Sequence, residues 1–121
     1  MRAESKETLR KFALNDERFV ESVSGRGRAN VEASGLDQKT HALVRIGALI
    51  AVDAPAPAYL EAVEAARASG TSDDEIVGCL LAVLPELGSA RAISAAPKLG
   101  LALGYDVAAA LEEALPTRPE N

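Results

Sequence analysis

Apolar residues along the chain recur every three to four positions, which is the spacing of amphipathic helices, and no run alternates strictly enough to predict a strand. The clearest example is DQKTHALVRIGALIAVD, where Leu43, Ile46 and Ile50 fall on one face after a candidate N-cap at Asp37. We therefore predict an all-α fold of about six to seven helices.

Capping residues and glycines mark where the other helices begin and end. Ser5 and Asn15 are candidate N-caps of two short N-terminal helices. The glycine-punctuated stretch GRGRANVEASG predicts a loop over residues 25–35. A further helix is expected from about Ala58 to Ser69, where a glycine follows.

The strongest local signal is GTSDDEI, in which Ser72 and Glu75 have the spacing of a capping box. It begins an almost wholly apolar helix that contains Pro85, and the next helix contains Pro97. Because each proline removes one backbone hydrogen bond, we expect a kink in both helices.

The length of 121 residues fits one domain with a core of its own. We predict a single domain over residues 1–121, which begins with the helices and loop of residues 1–35. Asp106 is the candidate cap of a short last helix that ends near Leu115. Residues 116–121 are expected to form a flexible tail.

The apolar composition predicts self-association. Apolar residues make up 48% of the chain and aromatic residues only 3%, so the core is expected to be aliphatic and rich in alanine. After residue 45 the helices are apolar around much of their circumference, which calls for more burial than one small domain supplies. We therefore predict a homo-oligomer.

The net charge and the cysteine content indicate which classes of binding partner and which cellular location to expect. The net charge of −5 argues against nucleic acid as a partner. No apolar run reaches the length of about 18 residues that a membrane span needs, and the N-terminus is charged rather than signal-like. A single cysteine excludes an intrachain disulfide, and we expect a cytoplasmic location without membrane contact.

Three motifs between residue 36 and about residue 106 are typical of one family: LDQKTHALVRIGALIA, then a helix that ends in ARASG, then TSDDEIVGCLLAVLPELGSARA. On these motifs the chain resembles the carboxymuconolactone decarboxylase family, which includes the alkylhydroperoxidase D-like proteins. The resemblance implies an orthogonal helical bundle of the alkylhydroperoxidase D-like type, assembled as a trimer or hexamer.

The resemblance also implies a reactive site whose residues this chain lacks. The family's peroxidase branch carries Cys-x-x-Cys and then a histidine, at positions that fall near Pro55, Ala58 and Ala62 here. Its partner glutamate corresponds to Ala42, and the middle-helix histidine of the decarboxylase branch is absent as well. The missing dithiol argues against thiol peroxidase activity, since one cysteine needs an external thiol to cycle.

His41 and Arg45 are the first candidates for a relocated site, because residues four apart share one face of a helix. A neutral imidazole near a guanidinium can bind a carboxylate and move a proton. Alanines at Ala48, Ala58 and Ala62 would leave room for a small ligand there. The alternative is a pair on the surface or at a subunit interface.

Three further side chains are chemically capable: Glu86, Arg91 and Cys79. Glu86 and Arg91 flank the turn PELGSAR, where they can bind a ligand, pair with each other or pair across a subunit boundary. Cys79 lies on an apolar helix without basic neighbours, which favours a small buried hydrophobe over a reactive thiol. With one histidine and one cysteine, no metal site from N and S ligands is expected within one subunit, and no cofactor is predicted.

Two functions remain open at this point. The first is a decarboxylase-like lyase that acts on a small carboxylate or lactone, with His41 at its centre and Arg45 or Arg91 holding the carboxylate. The second is a non-catalytic oligomer that binds a ligand or docks a partner.

Overall fold

The computed structural model describes residues 1–114, in which we find eight α-helices and no strand, so the all-α prediction is confirmed. The helices are α1 (Ala3–Ala13), α2 (Glu17–Ser24), α3 (Arg28–Ser34), α4 (Gln38–Ala51), α5 (Ala56–Ala68), α6 (Asp73–Leu87), α7 (Ser89–Leu103) and α8 (Val107–Ala114). They fall into two compact units, Met1–Asp37 and a second that begins at Gln38. The predicted end of the last helix at Leu115 and the predicted tail over residues 116–121 lie outside the described residues.

The N-terminal unit is held by local contacts rather than by a core. None of the residues in α1, α2 and α3 is buried. The rings of Phe12 and Phe19 meet edge to face with centroids 5.4 Å apart, and Lys11 Nζ lies 4.8 Å from the Phe19 centroid. This aromatic contact joins α1 to α2.

Both predicted caps of the N-terminal helices are wrong. Helix α1 begins at Ala3, two residues before Ser5. Asp16 caps α2 and accepts a 3.1 Å hydrogen bond from the backbone nitrogen of Phe19. Asn15 instead takes a left-handed φ of 53°, which asparagine tolerates better than most residues and which places it in the turn before the cap.

The loop predicted over residues 25–35 is also wrong in part, because α3 lies inside it. The glycines flank this helix and do not interrupt it. Gly35 ends the helix with a left-handed φ of 68°, and Arg28 pairs with Glu32 one turn later at 3.0 Å. A capping glycine and one i,i+4 pair are local features that favour this two-turn helix.

The second unit has an aliphatic core between α4, α5, α6 and α7. Its largest fully buried side chains are Tyr59, Ile46, Ile50, Ile76 and Val63. Alanines from α4, α5 and α7 fill the remaining core positions, which lets the helices approach closely. The predicted alanine-rich, aliphatic core is thus present.

The capping box at the start of α6 is confirmed. Ser72 Oγ accepts from the Glu75 backbone nitrogen, and Glu75 Oε1 accepts from the Ser72 backbone nitrogen, each at 3.1 Å. Lys39 Nζ lies 2.7 Å from the second carboxylate oxygen of Glu75, so the same side chain also ties α4 to α6. The last cap is confirmed too, since Asp106 Oδ1 accepts from the Ala109 backbone nitrogen at 3.0 Å.

The structure differs from the sequence prediction at the start of α5, and it shows how far α6 and α7 extend beyond their prolines. Helix α5 begins at Ala56, two residues earlier than expected, because Pro57 fits the first turn of a helix. Helices α6 and α7 continue past Pro85 and Pro97. The kinks expected at the two prolines stay predictions.

Large apolar side chains remain exposed on the second unit. On α4 they are Val44 and, just past its end, Val52; on α6 they are Val77, Leu81 and Leu84; on α7 they are Ile93 and Leu101. None of the helices in residues 1–114 combines the length and apolar character needed to cross a membrane.

Candidate functional site

Arg45 is the most deeply placed charged side chain of the sequence-predicted site. It extends from α4, and only 20% of its side chain is exposed. Its ion-pair partner is Glu61 on α5, whose Oε1 lies 3.3 Å from Arg45 Nη2 and whose side chain is 61% exposed. The charge of Arg45 is therefore balanced by a carboxylate that itself faces solvent.

The Nε and Nη2 atoms of Arg45 are buried and have no hydrogen-bond partner among residues 1–114. The Glu61 contact is an ion pair at 3.3 Å, but its geometry does not make a hydrogen bond to Nη2. Together Nε–H and Nη2–H form the edge of the guanidinium that receives a carboxylate side-on.

In two other arginines of this protein, the Nε and Nη2 atoms, which we call the arginine fork, both donate to one carboxylate. Arg10 donates from Nε and Nη2 to Glu7 at 3.0 and 2.7 Å. Arg67 donates from the same two atoms to Asp73 at 2.9 and 3.0 Å. The same edge of Arg45 lacks such a bidentate carboxylate, and it is the more buried of the three.

His41 lies one turn before Arg45 on α4, and both side chains are partly buried. The alanines expected to leave room beside them have different surroundings. Ala62 is part of the core, Ala58 packs against the core and Ala48 is exposed. A cavity bounded by all three therefore stays a prediction.

A second polar cluster, which we call the Asp53 clasp, lies where the α4–α5 connector meets α7. Asp53 Oδ1 accepts hydrogen bonds from Ser94 Oγ at 2.6 Å and from Lys98 Nζ at 3.1 Å. Lys98 Nζ also donates to the carbonyl of Ala54 at 2.9 Å, and Arg91 Nη1 lies 3.4 Å from Asp53 Oδ2. These contacts fasten the connector to one face of α7.

The clasp perturbs two titratable groups. The hydrogen bond from Ser94, followed by that from Lys98, lowers the pKa of Asp53 below its ordinary value. Burial, and to a lesser extent the charge of Asp53, raises the pKa of Tyr59. The Tyr59 hydroxyl is buried without a hydrogen-bond partner among residues 1–114, so it stays protonated at neutral pH.

Asp53 is not among the candidate residues predicted from the sequence, although it directly precedes the alanine- and proline-rich segment APAP that joins α4 to α5. The only available signal was the i, i+3, i+7 spacing of Arg91, Ser94 and Lys98 on the predicted α7, which places them on one face. That spacing identifies the three members of the clasp that lie on α7, but it does not identify Asp53, the connector residue that they contact.

Arg91 and Glu86 are the other two predicted ligand-binding groups. Arg91 pairs with Asp53 and not with Glu86, which is exposed near the end of α6. Arg45 and Arg91 thus belong to different ion pairs, with Glu61 and with Asp53.

Cys79 is partly buried on α6, where its Sγ donates to the carbonyl of Leu43 at 3.5 Å. Burial raises the pKa of the thiol above its ordinary value. A higher pKa lowers the thiolate fraction at neutral pH, so this environment does not activate the sulfur as a nucleophile. In residues 1–114 no three His, Cys, Asp or Glu side chains lie close enough together to hold a metal ion.

Comparisons of the chain with protein-family models, with curated proteins and with solved structures return no match.

Proposed function

We propose that this chain is a carboxymuconolactone decarboxylase-like protein that binds a small carboxylate at Arg45 within a homo-oligomer. The observation that supports this function is the buried edge of Arg45, whose Nε and Nη2 lack hydrogen-bond partners among the described residues. Arg91 is engaged by Asp53 and therefore fits the role less well.

The energetics favour a carboxylate ligand over other small molecules. A buried N–H without a partner costs free energy, and a buried charge costs more. A ligand carboxylate that accepts from both Nε and Nη2 offsets both costs at once through two charge-assisted hydrogen bonds. Packing within the second unit already holds the arginine stem, so little side-chain entropy is lost on binding.

A lyase that uses His41 is the second candidate. The observation that favours it is the partly buried imidazole one turn before Arg45 on α4. One helical turn is a rise of about 5–6 Å, which suits a small acid held by its carboxylate at Arg45 with its next carbons near the imidazole. There His41 would donate a proton to the carbon that loses carbon dioxide, which takes the electron pair of the broken carbon–carbon bond.

Calorimetric titration with propionate and with malonate tests the proposal. Arg45→Gln is expected to weaken binding roughly tenfold or more, because hydrogen bonds to a charged group are worth about 1.5–3 kcal/mol. Arg91→Gln is the matched control and is expected to leave the affinity unchanged. Arg45-independent binding, or no binding of either acid, would contradict the proposal.

The two candidates separate in a second step. Should a bound acid or lactone be converted, His41→Ala is expected to abolish turnover and leave binding in place. Binding without conversion leaves the non-catalytic function.

The oligomeric part of the proposal rests on the exposed apolar side chains of the second unit. Val77, Leu81 and Leu84 are spaced i, i+4 and i+7, so they form one stripe along α6. Ile93 and Leu101 are eight residues apart on α7 and therefore share a face. Burial of such stripes between copies removes them from water, and the family resemblance implies a trimer or hexamer.

A further inference from the structure

We infer that the carboxylate bound by the Arg45 fork belongs to a medium-chain fatty acid, whose alkyl chain lies along the exposed face of α4 from Arg45 to Val52. This inference rests on the proposed function of Arg45 and adds the class of ligand, an amphiphilic acid with one anionic head group and one unbranched tail.

Arg45, Ala48 and Val52 lie on one face of α4. They are spaced i, i+3 and i+7, which is the spacing of residues that share a helix face. Although α4 ends at Ala51, the backbone nitrogen of Val52 still donates to the carbonyl of Ala48 at 3.1 Å, so Val52 keeps the helical register. We call the exposed surface of Ala48 and Val52 the alkyl track.

The alkyl track is apolar and open to solvent. Ala48 is exposed, and so is 70% of Val52. Neither residue belongs to the aliphatic core or to the α6 and α7 stripes on which the oligomer prediction rests. One exposed valine is ordinary on a protein surface, but this one shares a helix face with a buried guanidinium whose fork has no acceptor among residues 1–114. That combination suits a ligand that is anionic at one end and apolar along the rest.

The charges of α4 give such a ligand its orientation. None of the residues in Gln38–Ala51 is acidic, and beyond Arg45 its face of the helix continues as the apolar track. An anionic head group is stabilised at Arg45, where two charge-assisted hydrogen bonds are open to it, and not further along the helix. The tail therefore extends from Arg45 towards the C-terminal end of α4.

The distance along α4 sets the preferred chain length. Because a helix rises 1.5 Å per residue, the Cα atom of Val52 lies about 10 Å beyond that of Arg45, roughly the span of an eight-carbon chain. The next residue is Asp53, whose carboxylate is held by Ser94 and Lys98. A charged group offers no apolar contact to further methylene groups, so the gain from chain length is expected to level off at roughly eight to ten carbons.

Calorimetric titration of the whole chain with propionate, octanoate and dodecanoate tests the inference. Each methylene group that leaves water contributes to binding, so the Kd of octanoate is expected to be roughly tenfold to thirtyfold lower than that of propionate. Dodecanoate is expected to gain no more than about threefold over octanoate, because its last carbons extend past the track.

Val52→Glu is the variant that separates the tail from the head group. Because Val52 is largely exposed, the variant is expected to fold, and its carboxylate would have to lose water before a tail could lie against it. The octanoate Kd is expected to rise to about that of propionate, while the propionate Kd stays within about twofold of the wild type because salt screens the added charge over this distance.

Two further variants complete the comparison. Val52→Thr keeps the size of the side chain without adding a charge, and it is expected to weaken octanoate binding about twofold. Leu60→Glu places the same charge at an exposed leucine on α5, and it is expected to leave both Kd values unchanged.

Four outcomes decide the matter. Tighter binding of octanoate that is lost in Val52→Glu, with both acids lost in Arg45→Gln, supports the fatty acid. Equal Kd values for propionate and octanoate, or a preference for octanoate that survives Val52→Glu, overturn the inference and leave the proposed function intact as long as Arg45 is required. A lower oligomer mass of Val52→Glu in light scattering would show that a second copy covers the track, which also overturns the inference. No binding of either acid, or binding that ignores Arg45, overturns both.

Discussion

Ser94 Oγ donates a 2.6 Å hydrogen bond to Asp53 Oδ1 across 41 positions of sequence, and with it α7 holds the connector between α4 and α5. Asp53 takes a left-handed φ of 52°, which few residues other than glycine, asparagine and aspartate tolerate well. The clasp therefore fastens to α7 a turn in which only a few residue types fit the backbone conformation at position 53.

Asp53→Asn tests the clasp through the pH dependence of stability. The pKa of Asp53 is lower in the folded protein than its ordinary value, so its stabilising contribution is present above the unfolded pKa of about 4 and is lost as the pH falls through the folded pKa. Asparagine tolerates the same backbone conformation but carries no charge. We expect the variant to unfold at a lower urea concentration than the wild type at pH 7 and to converge with it once the pH falls below the folded-state pKa of Asp53.

Ser94→Ala is the companion variant for this measurement. Because Ser94 is the largest cause of the lowered pKa, its removal is expected to shift the acid limb of the wild-type stability curve to higher pH. An unchanged acid limb in both variants would show that the clasp does not contribute to stability.

Gly100→Ala tests the close packing between α7 and the turn that follows it. A Cβ at Gly100 would lie 2.7 Å from both the Tyr105 carbonyl oxygen and Val107 Cγ2, and the carbonyl cannot rotate away. We expect a loss of about 1–3 kcal/mol in the free energy of unfolding, as for an overpacked core.

Gly78→Ala is the matched control, since a Cβ there meets no atom within 4 Å on the same kind of helix. Alanine has the higher helix propensity, so this change is expected to stabilise the protein by about 0.5–1 kcal/mol. Equal effects of the two substitutions in urea unfolding would contradict the packing described for Gly100.

The sequence predicts structural features best where the interacting residues are close together along the chain. The capping box of Ser72 and Glu75 lies within four residues, and it is present as predicted. The Gly35 cap is equally local, but the glycines on both sides of α3 favour a loop when only the sequence is considered, so the sequence does not predict α3.

The candidate site was harder to predict because its contacts join separate helices. The sequence placed His41 and Arg45 one turn apart, but it did not reveal Glu61, which reaches Arg45 from α5. It offers Arg91 as a ligand-binding group or as an ion-pair partner of Glu86 or of a second subunit, whereas the structure pairs Arg91 with Asp53. Helical spacing shows which residues share one face of a helix. Only the packing of the helices shows which residues of other elements that face contacts.

Cys79 is expected to react slowly with thiol reagents. Burial raises its pKa, so the thiolate fraction at pH 7 is below that of a free cysteine. Modification by a chromogenic disulfide at pH 7 should be slower in the native protein than in urea, and alkyl hydroperoxides should not be turned over. Cys79→Ala is expected to cost about 1–2 kcal/mol or less, and cysteine-dependent peroxide turnover would contradict this account.

The oligomer prediction is tested by placing a charge in the α6 stripe. Leu81→Glu is expected to dissociate the protein towards its 12.6 kDa protomer in light scattering, because a carboxylate at a buried interface must be desolvated. Leu60→Glu on α5 is the control for added charge at an exposed leucine outside the stripes, and it should keep the wild-type mass. A wild-type protein that is monomeric at micromolar concentration would overturn the prediction.

The central claim, a carboxylate site at the Arg45 fork, is tested most directly by the Nε–H resonance of Arg45 in a ¹H–¹⁵N spectrum of the arginine side chains. Arg45→Lys assigns the signal by its disappearance, and the Nε–H of Arg67, already bonded to Asp73, serves as the internal reference. On titration with propionate the account predicts a saturable downfield shift of the Arg45 proton, as expected when Nε–H gains a charged acceptor, while the Arg67 proton stays in place. An Arg45 signal that does not move at saturating acid, or that moves together with every other arginine, would contradict it.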